Sequence, residues 1–412
     1  MAKKQKKATP KRTPTKHQLS KWQRQTKIRR FVIIASVVFL AGILSWVGYG
    51  YYKDNIAPYR EVVIKVNDAS FTIGYYVNML DAYTVGMNRT EIYSYGSYIA
   101  NMVADEIINA ELSRQGAKTL GIEVTPDVID TKLEEYGLPN DRVYRDIVRA
   151  ELLQEKLEER FDSQLPNTME QAHVQVMLVE SEDVADEVIT EIEAGGNFTA
   201  LAEEFSYSST IEGDLGWLPE ELMPNALIAD ATFNLTPGEM SQPIYDETAT
   251  KDVGYWLIEV NNAQNETIDA QVMLLPSEAR AQQIRGELAA GGNFSALAGN
   301  YSQHESKTKG GKVEGLEPGD MGSEAFDQVA FNMTLNQVSE PVKDESVQTT
   351  GGYWLVKVVD KGDHELEETV KEELRDKQLS DWSKNLEEDS TIENLLDEEK
   401  KAWAIDKVLQ GR

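Results

Sequence analysis

The sequence contains no cysteine, and its 412 residues include only four histidines: His17, His173, His304 and His364. The absence of cysteine excludes disulfide bonds, thiolate nucleophiles, zinc-cysteine sites and iron-sulfur clusters. The histidines are too far apart for the H-x-x-x-H spacing of zinc hydrolases, and the sequence lacks the calcium-loop pattern. We therefore expect neither a metal nor another cofactor.

Basic side chains are scarce beyond the N-terminus. The chain has 41 Lys and Arg against 70 Asp and Glu, and its formal net charge is −29. Residues 1–30 carry twelve of the basic side chains and no acidic one, so an acidic body follows a basic tail. An acidic body repels a phosphate backbone, and we expect no binding of nucleic acid. The length predicts about two to four domains.

Residues 31–52 are a run of 22 residues without a charged side chain. A helix of this length crosses a hydrocarbon layer of about 30 Å. Aromatic residues gather at its far end and the basic tail adjoins its near end, which predicts a cytoplasmic N-terminus and an extracytoplasmic body. The sequence thus predicts a single-pass anchor in the cell membrane. A cleaved signal peptide and a buried helix of a soluble protein are the alternatives.

A helical region follows the predicted anchor. The sequence EVVIKVND at 61–68 alternates as a strand does, and residues from 72 to about 165 have helical spacing. Within this region, Thr125 and Pro126 are suited to the N-cap and first position of a helix.

Internal repetition is the strongest signal in the chain. Residues 174–206 recur at 270–302 with an offset of 96, and GYWLIEV at 254–260 recurs as GYWLVKV at 352–358 with an offset of 98. Each copy is about 90 residues long, which is the size of a domain. Its pattern is a strand, a helix ending at Gly-Gly, a short helix, a glycine-rich loop, another helix and an apolar strand. This predicts an α+β domain with helices on one face of a small sheet.

The repeats resemble the parvulin-type peptidyl-prolyl isomerases. The first shows AGGNFTALAEEFS, GDLGW, FNLTPGEMSQPI and GYWLIEV in order, and the second shows AGGNFSALAGNYS, FNMTLNQVSEPV and GYWLVKV. Upstream, LSRQGAKTLGIEVTPDVID resembles the helical chaperone region of SurA- and PrsA-type secreted foldases.

This resemblance implies an α+β fold behind the N-terminal transmembrane helix. It implies a chaperone region at 61–168, parvulin-like domains at 171–264 (the first repeat) and 268–362 (the second repeat), and a C-terminal helix at 365–412 that packs on the chaperone region.

Isomerisation of an X-Pro bond breaks no covalent bond, so it needs neither a metal nor a nucleophile. The resemblance implies a proline pocket of apolar side chains and one polar catalytic position in each repeat. These are Met223, Ile228 and Phe233 with Ser208 in the first repeat, and Met321, Phe326 and Phe331 with His304 in the second. Apolar residues at helical spacing are equally compatible with a core role.

The sequence departs from the parvulin pattern at the two histidines that the family carries on its first and last strands. These positions align with Val176 and Trp256 in the first repeat and with Val272 and Trp354 in the second, and all four residues are apolar. The departure predicts weakened electrostatic assistance. His173 lies three residues before Val176, so in a strand it points to the opposite face, and we expect it at the surface.

We therefore expect a membrane-tethered isomerase and chaperone whose partners are unfolded or nascent secreted polypeptides, with no small-molecule ligand. A holdase with two non-catalytic parvulin-like domains is the alternative of a different class. A surface adhesion or scaffold protein that keeps only the fold is the third hypothesis.

Overall fold

The computed structural model describes residues 39–41, 43–50, 52–53, 56–208, 211, 213–264 and 266–411. The predicted basic tail, and residues 31–38, 42 and 51 of the predicted membrane segment, lie outside the described residues. Residues 39–41 and 43–50 are helical. Within the described part of the chain, no helix combines the length and the apolar character that a membrane crossing requires.

The chain divides into two compact units, Met1–Phe161 with Gln378–Arg412, and Asp162–Lys377. The elements of the first unit are a 3-10 turn (Pro58–Arg60), β1 (Val62–Val66), β2 (Ala69–Thr72), α1 (Ile73–Tyr83), α2 (Arg89–Thr119), α3 (Pro126–Tyr136), α4 (Arg142–Asp162), β11 (Ile392–Asn394) and α12 (Glu398–Gly411). Helix α11 (Glu368–Glu388) contains the second boundary between the units.

The first unit is built on a three-stranded sheet of order β11-β1-β2. A capping box starts α2: the Asn88 side chain accepts from the Glu91 backbone N–H, and the Glu91 carboxylate accepts from the Asn88 N–H. Thr125 and Pro126 are the N-cap and first residue of α3, as predicted.

The C-terminal segment differs from the single helix expected at 365–412. It forms α11 and α12, and strand β11 between them pairs with β1. The side chains of Ala404 and Val408 on α12 are buried in the same core as Tyr76 and Leu80 on α1. The end of the chain therefore contributes both a strand and a helix to the first unit.

The second unit contains both repeats. The elements of the first repeat are β3 (Thr168–Val179), α5 (Glu182–Glu193), α6 (Phe198–Phe205), β4 (Gly213–Leu218), a 3-10 turn (Glu220–Leu222), α7 (Ala226–Asn234), β5 (Ile244–Lys251) and β6 (Gly254–Gln264). They are followed by β7 (Thr267–Leu275), α8 (Glu278–Ala289), α9 (Phe294–Tyr301), a 3-10 turn (Glu305–Lys309), β8 (Lys312–Leu316), α10 (Glu324–Ala330), β9 (Val342–Asp344) and β10 (Thr349–Glu365).

The two repeats of the second unit exchange their last strands. The first sheet of this unit has the order β4-β3-β10-β5 and the second sheet has the order β8-β7-β6-β9. All neighbouring strands in both sheets are antiparallel. Strand β10, which ends the second repeat, lies between two strands of the first repeat, and β6 lies between two strands of the second. This differs from the expectation that each repeat supplies every strand of its own sheet.

Two segments of the chain cross between the sheets. They read ETATKDV at 247–253 and ESVQTTG at 345–351. Neither contains the Asn-Gly or Asp-Gly pair that favours a tight hairpin. Each segment leads from a strand of one sheet to a strand of the other.

Helices cover both faces of the first sheet, which corrects the expectation of helices on one face only. Side chains of α7 pack on one face, and side chains of α5 and α6 pack on the other. The predicted Gly-Gly helix ends are present in both repeats. Gly195 and Gly291 have φ of +100° and +95°, a conformation that glycine adopts without steric cost.

Candidate functional site

One face of the first sheet collects the apolar residues predicted for the first pocket. Met223, Ile228 and Phe233 belong to one hydrophobic cluster with the strand residue Val176 and with Trp354. Ile228 is 0% exposed and Trp354 is 3% exposed, whereas Phe233 is partly buried. The structure therefore brings the three pocket residues together, packed as part of a core.

The second sheet repeats this arrangement. Phe326 is fully buried, Met321 and Phe331 are partly buried, and all three share a cluster with Trp256, which is 1% exposed. The rings of Trp256 and Phe326 are T-shaped, with centroids 5.3 Å apart. Both indoles thus occupy the core, at positions that the resemblance aligns with a parvulin histidine.

His304 lies beside the second cluster, with its ring centroid 5.3 Å from that of Trp256. Its Nδ1 accepts from the Ser306 backbone N–H at 3.3 Å and lies 2.9 Å from the Ser306 Oγ. Because Nδ1 acts as an acceptor, the neutral ring carries its proton on Nε2. Burial lowers the pKa of His304, so the ring is neutral at pH 7.

Ser208 has a different local role. Its side chain is buried, and its Oγ accepts from the Ile211 backbone N–H at 3.1 Å. This is a local hydrogen bond from the backbone to a side chain just before β4. The two predicted catalytic residues are therefore not equivalent. His304 is a ring beside the apolar cluster of the second repeat, and Ser208 is a hydroxyl that accepts a local backbone hydrogen bond in the first.

Each buried tryptophan donates a hydrogen bond to a buried aspartate of the other repeat. Trp354 Nε1 lies 2.9 Å from Asp246 Oδ2, and Trp256 Nε1 lies 2.9 Å from Asp344 Oδ2. Sequence reasoning missed both aspartates, although the offset of 98 relates PIYDE at 243–247 to PVKDE at 341–345. It also grouped Trp256 with the first site and Trp354 with the second, and the structure places each in the other sheet.

His173 lies on the opposite sheet face from Val176 and its side chain is 27% exposed. Its Nε2 is 2.7 Å from Asp214 Oδ1, and its ring is 5.7 Å from that of Trp217. Burial opposes ionisation of Asp214, but hydrogen bonds from the Gly216 N–H and His173 outweigh it and lower the pKa of this carboxyl. His173 therefore orders the GDLGW segment and is not part of the apolar cluster.

The first unit holds a cavity of about 620 Å³. Apolar side chains such as Phe71, Met79 and Ile107 line part of it. Charged side chains line the rest, and some of them form ion pairs, among them Glu111 with Arg114. Asp146 accepts from the Tyr75 hydroxyl at 3.0 Å and pairs with Arg149. The lining of this cavity is therefore partly apolar and partly charged.

Comparison with known proteins identifies the two repeats. The family model described as "PPIC-type PPIASE domain" matches residues 170–262 and 269–360. The chain is 26% identical over 241 residues to the chaperone SurA of Hahella chejuensis, covering 53% of this chain and 54% of that one. It is 34% identical over 118 residues to the foldase protein PrsA 3 of Bacillus cereus, covering 28% of this chain and 40% of that one.

The chain spans about half the length of the first curated relatives it matches. Among solved structures, PrsA from Bacillus subtilis aligns over 85% of this chain and 93% of its own, with 16% identity and a TM-score of 0.20. A TM-score this low supports no equivalence of individual positions.

The carboxylate of Asp246 gives a pH prediction. Burial opposes its ionisation, but hydrogen bonds from Trp354 and Thr248 outweigh burial and hold its pKa below 3.8. A lowered folded-state pKa stabilises the fold above pH 3.8, and this contribution is lost as the pH falls through the folded-state pKa. We expect Asp246→Asn to cost about 1–2 kcal/mol at pH 6 and much less at pH 2.5, by urea unfolding followed through tryptophan fluorescence.

Asp363→Asn, at an exposed position of β10, is the matched control and is expected to change little at either pH. A cost of Asp246→Asn that stays constant between the two pH values would contradict this account.

Proposed function

Because this chain belongs to the SurA/PrsA-like parvulin foldases, with two PPIC-type domains, we propose that it is a membrane-anchored extracytoplasmic chaperone that isomerises X-Pro bonds in secreted proteins. One observation carries the isomerase part of the proposal. His304, at the N-cap of the 3-10 turn Glu305–Lys309, lies beside the apolar cluster of the second sheet that includes Phe326 and Trp256.

The chemistry of this site follows from what limits rotation about an X-Pro bond. The barrier is about 18–20 kcal/mol, because resonance is lost as the amide twists. A site accelerates the rotation by binding the twisted amide better than the planar one. Met321 and Phe331, which are partly buried, offer an apolar surface for the prolyl ring, and the fully buried Phe326 belongs to the same cluster. The Nε2–H of His304 is a hydrogen-bond donor for the twisted amide, whose nitrogen accepts more strongly once conjugation is lost.

We assign the stronger activity to the second repeat. In the first repeat the Ser208 hydroxyl accepts from a loop N–H, and Trp354 packs with Ile228 in the core. The first site has an apolar surface of the same kind, and we assign it a role in holding client segments.

His304→Ala in the full chain tests the isomerase. We expect kcat/KM to fall about tenfold, which corresponds to the loss of one hydrogen bond of about 1.4 kcal/mol in the transition state. The measurement is the rate of proline-limited refolding of a model substrate. His364→Ala, which replaces an exposed histidine of β10, is the control and should retain the wild-type rate. If the His304 variant is fully active, His304 has no part in the mechanism. If the wild type does not accelerate proline-limited refolding, the protein is not an isomerase.

A holdase is the second candidate function. It is favoured by the two tryptophans buried where parvulins carry histidine, and by the cavity of the first unit. In this case the cavity holds extended client segments, and neither parvulin domain needs to be catalytic.

Ala110→Trp tests the cavity, because Ala110 lines it and an indole there reduces its volume. We expect residues 61–412 to suppress aggregation of a proline-free client, and Ala110→Trp to abolish most of this suppression. Asn109→Trp places the same ring on an exposed neighbour and is expected to have no effect. If both variants suppress aggregation equally, clients do not bind in the cavity. If the wild type does not suppress aggregation, the protein is not a holdase. If it also lacks isomerase activity, the scaffold hypothesis is the one that remains.

The membrane anchor rests on the uncharged run at 31–52 and the basic tail before it. Within the run, the side chains of Phe39, Leu44 and Trp46 are each at least 70% exposed, which is costly in water and favourable in lipid. We expect the full chain to resist extraction from membranes at alkaline pH and residues 61–412 to be released. Extraction of the full chain would contradict the anchor.

A further inference from the structure

The two repeats contact each other where the segments 247–253 and 345–351 pass from one sheet to the other. Lys251 at the end of β5 pairs with Thr349 at the start of β10, and both side chains are buried. The Thr349 Oγ1 donates to the Val253 carbonyl at 2.5 Å, and the Gln348 side chain donates to Asp252 at 2.9 Å. These contacts link the segment 345–351 to the segment 247–253.

Lys251 is the most buried charged residue of these two segments, with 0% of its surface exposed. Its Nζ donates to the Pro276 carbonyl at 2.9 Å and to the Gly351 carbonyl. Pro276 and Gly351 both belong to the second repeat, whereas Lys251 belongs to the first. A buried ammonium is costly unless its hydrogen bonds are made, so these carbonyls favour this path of the chain.

The exchange changes which residues make up each candidate site. Trp256, from the first repeat, contacts Phe326 and lies beside His304 of the second. Trp354, from the second repeat, packs with Met223 and Ile228 of the first. Each tryptophan also donates to an aspartate of the repeat that it enters.

We propose that the two candidate proline sites are composite, and that Trp256 and Trp354 are specificity-determining residues which each repeat supplies to the site of the other. The identity of the sites as proline sites rests on the proposed function. An indole is larger than the imidazole that parvulins place there, so the exchanged strand sets the room left for a prolyl ring. The two repeats then form one two-site body, similar to two protomers that have exchanged a strand, within a single chain.

The absence of native cysteine allows a disulfide test of the exchange in the full chain. Gln175 on β3 is the register partner of Lys357 on β10, and Glu259 on β6 is the partner of Gln271 on β7. Partners in an antiparallel pair lie at a distance that a disulfide bridges. We expect Q175C/K357C to oxidise to an internal disulfide, detected by mass spectrometry of proteolytic fragments.

Q175C/E259C is the matched control, since these positions would be partners if each repeat kept its own last strand. We expect no disulfide in this variant. A disulfide in Q175C/E259C, and none in Q175C/K357C, would overturn the inference whatever the activity of the protein.

A second measurement tests the role of the tryptophans. We expect Trp256→Phe to lower the KM for a proline peptide about threefold in the wild-type background, because it enlarges the site beside His304. The effect should shrink in a His304→Ala background, because less of the total activity then comes from this site, whereas any effect of Trp354→Phe should not shrink. A Trp354 effect that shrinks on loss of His304 would overturn the assignment. If Q175C/K357C forms its disulfide but the wild type has no isomerase activity, the proposed function fails and the cross-repeat assembly stands.

Discussion

The second unit depends on the buried hydrogen bond that each exchanged tryptophan makes to an aspartate of the other repeat. An indole N–H and a carboxylate are both costly to bury alone, and each satisfies the other at 2.9 Å. Because the partners belong to different repeats, neither sheet is complete without a strand from the other. The segment of about 90 residues therefore repeats in the sequence but does not form a sheet by itself. Each hydrogen-bonded sheet contains strands from both repeats.

This arrangement bears directly on the chemistry. The resemblance to parvulins aligns the two histidines of that family with valine and tryptophan in both repeats. Among the described residues, His304 is an imidazole that lies beside the second apolar cluster. A neutral ring with its proton on Nε2 is suited to donate to a twisted amide without transferring a proton. The helical unit contains a separate cavity of about 620 Å³, which we propose for client segments. Catalysis and holding would then be assigned to different parts of one molecule.

Much of this fold was predictable from the sequence, and the reasons are local. Gly-Gly pairs end helices because only glycine adopts positive φ without cost, and Pro126 starts a helix because its fixed φ suits the first turn. The strand exchange was not predictable, because GYWLIEV and GYWLVKV are nearly identical and either suits either sheet. The predicted pocket residues come from the family pattern. Their burial depends on which tryptophan enters which sheet, and a one-dimensional pattern does not contain that pairing.

The most direct test of the shared sheets is the indole N–H spectrum of the full chain labelled with nitrogen-15. The resonances of Trp256 and Trp354 are identified by their loss on replacement with phenylalanine. In Asp246→Asn the resonance of Trp354 should move, because its acceptor loses a full negative charge, and that of Trp256 should stay in place. Movement of the Trp256 resonance instead would mean that each repeat keeps its own last strand.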